Sequence, residues 1–221
     1  MKTSIKYFLL AFTSVTVVMA STTNIQSQDI QSDVSGFHIN LNLHYGQWNT
    51  SSQFLEGIRN YDPNGYGIQL SGGYGFNQRM EAFLHFSYND FNLSGDWDTY
   101  THTEAGVGFR YNFGATLSKI RPFLDVQVNM SALEMDRIFY QHGTGGPRVE
   151  GKLEMEGITL AGGGGLRYFF KPWFAGTIHA RYHYGSDYDM FFEGIELNLP
   201  DQDVSQFDVG LGVAWYFGKR F

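Results

Sequence analysis

The chain has 221 residues, with 27 Gly, 20 Phe, 14 Tyr, no Cys and a formal net charge of −7 at pH 7. The missing cysteine excludes a disulfide framework and a lipid attached through an N-terminal Cys, and the acidic balance disfavours nucleic acid as a partner. The length suits one domain, and so much Gly beside Phe and Tyr is the composition of strands rather than helices.

The chain opens with Lys2 and Lys6, an uncharged apolar run from Tyr7 to Met19, and then Val18-Met19-Ala20. This pattern predicts a secretory signal peptide over residues 1–20, cleaved after Ala20, with trimming as far as Gln28 as an alternative. The run is too short for a spanning helix, and no later segment approaches the roughly 20 apolar residues such a helix needs. Losing Lys2 and Lys6 takes the net charge from −7 to −9. Residues 21–35 form a short polar segment before the main domain, which is expected over 36–221.

From Phe37 onward the apolar residues recur at every second position, the mark of a strand with two unlike faces. The first strand sets Phe37, Ile39, Leu41, Leu43 and Tyr45 against His38, Asn40, Asn42 and His44. The second sets Tyr66, Ile68, Leu70 and Tyr74 against Gly67, Gln69, Ser71 and Gly73. In the third, Ala82, Leu84, Phe86 and Tyr88 oppose Glu81, Phe83, His85 and Ser87, where only Phe83 departs from a polar face. The fourth opposes Ala105, Val107, Phe109, Tyr111 and Phe113 to Glu104, Gly106, Gly108, Arg110 and Asn112. The fifth opposes Leu124, Val126, Val128 and Met130 to Asp125, Gln127 and Asn129, and the sixth Ile158, Leu160, Leu166 and Tyr168 to Thr159, Gly163, Gly165 and Arg167. The seventh opposes Phe174, Ile178, Ala180, Tyr182 and Tyr184 to Thr177, His179, Arg181 and His183. The eighth opposes Phe207, Val209, Leu211, Val213, Trp215 and Phe217 to Gln206, Asp208, Gly210, Gly212 and Ala214.

Alternation alone leaves open which face is outside, and four features decide it. An aromatic pair closes every even strand: Tyr74/Phe76, Tyr111/Phe113, Tyr168/Phe170 and Trp215/Phe217. These fall at one end of the strands and Tyr45, Tyr66, Tyr88, Tyr182 and Tyr184 at the other, as two interfacial girdles would. Connections alternate between short (roughly 77 to 79, 114 to 121 and 171 to 172) and long (roughly 46 to 65, 89 to 101, 131 to 155 and 185 to 204), as short periplasmic turns and long outer loops do. All five prolines, Pro63, Pro122, Pro147, Pro172 and Pro200, sit in connections or at strand starts, where no ladder N–H is lost. The polar face, rich in Gly and in opposite charges, suits the interior of a narrow barrel that side chains just fill. The expected fold is all-β: a closed, eight-stranded, antiparallel up-and-down transmembrane β-barrel with its apolar face outward.

The closing strand from Phe207 to Phe217, followed by Gly218-Lys219-Arg220-Phe221, resembles the last strand of the OmpA/OmpX type of outer-membrane barrel. The resemblance covers roughly residues 35 to 221. It implies a bacterial outer-membrane location with periplasmic termini, a bilayer and lipopolysaccharide around the wall, and a monomer. It also implies periplasmic chaperones and a barrel-assembly machinery that reads Trp215, Phe217 and Phe221 as an assembly signal. No C-terminal peptidoglycan-binding domain is expected.

The inward ionisable residues are Glu81, Glu104, Arg110, Asp125, Arg167, Arg181 and Asp208, with His38, His44, His85, His179 and His183. Buried charges need partners. Glu81, Arg110, Asp125 and Arg167 fall on consecutive strands near the short-turn end as an alternating ring, so Glu81, Arg110, Asp125, Arg167, Arg181 and Asp208 are expected to plug the lumen. His179 and His183 share a face but stand about 13 Å apart along a strand, so neutral hydrogen-bonding histidines are expected rather than a metal site. His85-Phe86-Ser87 resembles a fragment of the lipid A deacylase barrel, whose catalytic residues face lipid; here His85 and Ser87 carry inward parity, so no enzyme is expected. The pairs Asp96/Asp98, Asp187/Asp189 and Asp201/Asp203 lie in expected outer loops, where carboxylates could chelate calcium or bridge lipopolysaccharide through divalent ions, though three scattered pairs are expected to be solvated acidic loops. Gly162 to Gly165 lacks the helix pattern and Lys-Ser/Thr of a phosphate loop. The expected function is a non-catalytic, cofactor-free barrel displaying four surface loops, for envelope structure or for surface binding and adhesion. The alternatives are a lipid-modifying enzyme and a small solute or ion pore.

Overall fold

A computed structural model of the chain describes residues 31–50, 63–92, 100–141, 148–197 and 203–218. The signal peptide, Phe221, Asp96, Asp98, Asp201 and the loop containing Pro147 lie outside the described residues.

Among the described residues there are strands and no helix: β1 (Gly36–Thr50), β2 (Asn64–Gly75), β3 (Met80–Asn92), β4 (Tyr100–Asn112), β5 (Ile120–Gln141), β6 (Arg148–Lys171), β7 (Phe174–Phe192), the two-residue β8 (Ile195–Glu196) and β9 (Val204–Tyr216). Each pairs antiparallel with its neighbour, and β9 pairs with both β7 and β1, from Gly185↔Val204 to Phe174↔Trp215 and from Thr50↔Val204 to His38↔Tyr216. That double pairing closes an eight-stranded barrel and leaves β8 as a short flap on β7. Closure gives every wall strand two partners, which is what a sheet surrounded by lipid requires.

Exposure alternates residue by residue. Along β1, His38, Asn40, Asn42 and His44 are buried while Phe37, Ile39, Leu41, Leu43 and Tyr45 are exposed. The outward apolar residues are uncovered to a degree no soluble barrel tolerates: Met130 is 75% exposed, Leu84 65% and Leu211 64%. A contiguous apolar surface of this kind faces hydrocarbon. Aromatic rings bound it, with Tyr74–Phe76, Tyr111–Phe113 and Tyr168–Phe170 centroids 5.0–5.8 Å apart at one end and Tyr45–Tyr66 5.3 Å apart at the other. The ten residue steps from Tyr66 in β2 to Phe76 just after it, tilted as barrel strands are, span about 25 Å.

The long connections are shorter than their sequence implied. Strand structure runs on to Thr50 in β1, Asn92 in β3, Gln141 in β5 and Phe192 in β7, and starts again at Tyr100 in β4 and Arg148 in β6. The physical reason is a change of phase. Tyr45 to Trp48, Tyr88 to Phe91, Met130 to Leu133, Met155 to Ile158 and Val204 to Phe207 are each three residues apart. An odd step moves the apolar residue to the opposite face, so the alternation looks broken while the ladder continues. β7 makes the same exchange through a bulge, where Glu156↔Asp189 and Ile158↔Ser186 flank one extra residue. Above the outer girdle the barrel is inverted: apolar inside, polar outside.

Candidate functional site

The interior is filled in three layers. At the short-turn end, residues 31–35 cross the mouth. The Gln31 and Ser32 amides donate to the Thr116 carbonyl, and the Asp33 amide donates to that of Pro172, so the segment bridges two different turns. Val34 is fully buried and packs with Phe169, Ala175, Ala214 and Tyr216. Gln78 Nε2 donates to Asp33 Oδ1 at 2.7 Å. Arg121, expected at the end of a turn, is instead fully buried, and its guanidinium donates to the Gln78 carbonyl, to Gln78 Oε1 and to the Phe113 carbonyl.

Above this floor sits the charged layer. The ladder places Arg110 opposite both Glu81 and Asp125. Arg110 donates to Asp125 Oδ2 through Nε at 3.1 Å and Nη2 at 2.8 Å, and its Nη1 lies 3.7 Å from Glu81 Oε2. Arg167 is not the next member of that ring, because Asp125 stands opposite Gly163 and Arg167 opposite Arg121. It reaches across the lumen instead, donating to both Glu81 oxygens, Nη1 to Oε1 at 2.5 Å and Nη2 to Oε2 at 3.2 Å. Asn112 braces the pair, its Nδ2 2.6 Å from Glu81 Oε1 and its Oδ1 accepting from Arg167 at 3.0 Å. Arg181 also crosses, donating to Asp125 Oδ1 at 3.2 Å and Gln69 Oε1 at 2.8 Å. Asp208, although opposite Arg181 in the ladder, lies 2.7 Å from His183 Nε2.

The departure at Phe83 has a reason: its ring lies under the Arg110 guanidinium at 4.7 Å, and Phe123 lies 4.6 Å from the same group and 5.0 Å from Arg167. Buried guanidiniums are stabilised by aromatic faces. The rings fit because Gly108 and Gly165 face them, where a Cβ would approach Phe83 to 2.3 Å and Phe123 to 2.8 Å.

Farther up, Glu104 accepts from Thr159 at 3.0 Å and Ser87 at 3.5 Å and lies 3.2 Å from His183 Nδ1, so His183 spans Glu104 and Asp208. His85 is 2.7 Å from Asn129 Oδ1 and 3.1 Å from Gln69, and His44 bonds Asn89. His102, missed because β4 begins earlier than its apolar residues do, is 2.7 Å from Ser131 and 2.9 Å from Gln206. His38 approaches Glu81 at 3.5 Å and His179 approaches Asp208 at 3.6 Å. Thus His85 and Ser87 are buried and bonded to other residues, with Phe86 facing outward between them. Among the described residues no group of three or more His, Asp or Glu is gathered for a metal ion.

The top layer is the inverted zone. Trp48, Phe91, Tyr100, Leu133, Met135, Ile138, Leu153, Met155, Tyr188, Met190 and Val204 form one buried cluster inside the barrel. Phe91 stacks on Tyr100 at 4.9 Å and Trp48 meets Tyr100 edge-on at 5.6 Å. Outside this zone Glu134, Asp136 and Asp189 are exposed.

The architecture is similar to the crystal structure of Neisserial surface protein A, with a TM-score of 0.60 and 17% identity over 83% of this chain and 98% of that one. It is also similar to the outer membrane protein OprG from Pseudomonas aeruginosa, with a TM-score of 0.53 and 14% identity over 86% of this chain and all of the other. No family model and no curated protein matches the sequence. The likeness is one of fold: the chain is built as a small eight-stranded outer-membrane barrel.

Proposed function

We propose that this chain is a non-catalytic integral outer-membrane protein whose sealed barrel is a rigid mount for four outer connections, which serve envelope structure or surface binding. The observation that carries this reading is the filled interior. A floor of residues 31–35, an arginine–carboxylate layer and an apolar cluster follow one another along the axis, and each layer is close-packed or hydrogen-bonded across the lumen. In this reading Glu81, Arg110, Asp125, Arg167, Arg181 and Asp208 are a structural plug. The outward Trp215 and Phe217 at the short-turn end, with Phe221, are the signal by which periplasmic chaperones and the barrel-assembly machinery take up a monomer. Lipid and lipopolysaccharide surround the belt between the girdles.

Two measurements on one preparation test it. Purified protein from the outer-membrane fraction is expected to change gel mobility between unboiled and boiled samples and to give no steady conductance in planar bilayers. A large steady conductance converts the reading to a pore. If Ser87→Ala or His85→Ala alters the mass spectrum of cellular lipid A, the enzyme reading replaces it. A chain found soluble in the periplasm, with no mobility change, overturns the membrane assignment itself.

A further inference from the structure

The charged layer borders a small, partly open cavity with room for about one water-sized particle. Arg110, Arg167 and Arg181 line it together with Asn40, Thr177 and His179, and none of these six is more than 8% exposed. No carboxylate is among the lining residues. The three guanidiniums are answered by two carboxylates, Glu81 and Asp125. Arg121 beneath them is held by the neutral Gln78 and by backbone carbonyls. The other two buried carboxylates, Glu104 and Asp208, lie toward the outer end on either side of His183, with His179 Nε2 3.6 Å from Asp208 Oδ1. Asp208 stands opposite Arg181 in the ladder, so the surplus positive charge lies on the side of Arg110, Arg167 and Arg121, which face only Glu81 and Asp125.

The lining also carries two polar atoms with no protein hydrogen bond, Arg167 Nε and Asn40 Oδ1, while His179 Nε2 is turned toward Asp208. Phe83, Phe123 and Tyr216 occupy the faces of Arg110 and Arg167, which leaves the guanidinium edges to address whatever fills the space. Asn40 Nδ2 points at Ser71 Oγ at 3.2 Å. Rotating that amide lets Oδ1 accept from the serine hydroxyl and turns Nδ2 toward the cavity, making Asn40 a donor as well.

We propose that this cavity binds one small anion of halide size, held by the Arg167 edge and Asn40 and balanced by the surplus guanidinium charge. A water molecule satisfies the hydrogen bonds but leaves the charge uncompensated in a region of low dielectric, where the imbalance is most costly. An anion answers both.

Bromide is the probe. Crystals of the full chain grown in sodium bromide are expected to show an anomalous difference peak in the cavity beside Arg167 Nε. The temperature at which the folded gel band disappears is expected to rise by a few degrees as bromide replaces acetate at constant ionic strength, because a ligand of the folded state stabilises it. Asn40→Asp places a fixed negative charge at the cavity wall, and it is expected to remove the peak and weaken the bromide dependence by about tenfold or more while the mobility shift persists. Should that variant fail to fold, His179→Glu supplies the charge from β7, on the far side of β9 from Asn40, with the same expectation. Water alone in the cavity overturns the proposal, as does a peak or a bromide dependence that survives the added carboxylate. The mobility shift reports the barrel separately, so failure here is distinguishable from failure of the membrane assignment.

Discussion

Across the height of Tyr45, Tyr88 and Met130 the barrel wall keeps its hydrogen-bonded ladder and exchanges its faces. Below that line the outward positions are Leu, Val, Ile and Phe and the lumen is Asn, Gln, His, Arg and carboxylate; above it Trp48, Leu133 and Met155 turn inward while Gln47, Glu134 and Asp189 face out. One backbone thus obeys two solvent rules, because the medium around it changes from hydrocarbon to water. The two regions also cohere differently. The lower one depends on directional charge pairs that fail when a single partner is lost, the upper one on apolar contact that tolerates rearrangement.

The largest expected effect separates these two kinds of cohesion. Glu81→Ala removes the acceptor of both Arg167 bonds and the Asn112 bond from a site with no exposure, leaving guanidinium charge unpaired, at a cost of about 3–5 kcal/mol. A temperature series of the unboiled gel band is expected to show loss of the folded form well below the parent protein. Retention of the parent midpoint would mean that the cross-lumen pairs hold nothing together.

Next in size is Trp48→Ala, which empties a large buried volume and costs about 3 kcal/mol or somewhat more, but in the inverted zone. The folded band is expected to persist while protease cleaves the ends of β5, β6 and β7 outside the girdle. If the whole barrel instead melts with the extension, the two regions form one cooperative unit.

A reciprocal exchange is smaller and more diagnostic. Asn129 and Leu133 lie on the same face of β5, four residues apart, one below the line and one above it. Leu133→Asn buries an amide among apolar side chains at about 1–3 kcal/mol, and Asn129→Leu strands His85 Nε2, which Asn129 now meets at 2.7 Å. Both are expected to lower the unfolding midpoint. A neutral Leu133→Asn would show that the upper interior is wet.

Much of the lower region is legible in the chain, because period-two alternation survives wherever one face meets lipid, and inward parity names Glu81, Arg110, Asp125 and Arg181 directly. Parity does not say which charges meet. Arg167 bonds Glu81 across the lumen, and Asp208 takes His183 although Arg181 is its ladder partner, outcomes set by side-chain reach and barrel width. The upper region was concealed by its own regularity. The apolar step of three residues, repeated on β1, β3, β5, β6 and β9, imitates the end of a strand but marks a change of solvent. The floor was hidden for another reason: Gln31 to Ser35 have no periodicity and are placed by backbone bonds to Thr116 and Pro172.

The smallest effect lies on the outer surface of the inverted zone. Glu134 and Glu154 stand directly opposite in the ladder, and Lys152 sits between them, its Nζ 2.6 Å from Glu154 and 3.1 Å from Glu134. Hydrogen bonds to Glu154 and then Glu134 hold the ammonium above the ordinary lysine range. A raised folded-state value means the contribution is complete below about pH 10.4, the unfolded value, and is lost as pH climbs toward the folded one. Because the ammonium is water-exposed, Lys152→Gln is expected to cost less than about 1 kcal/mol, and less again at high salt. The same class of ion pair therefore matters greatly at Glu81 and little at Lys152, the difference being the medium. A Lys152→Gln loss comparable to that of Glu81→Ala, measured by the same gel series, would place Lys152 in a dry environment and move the outer boundary of the membrane above it.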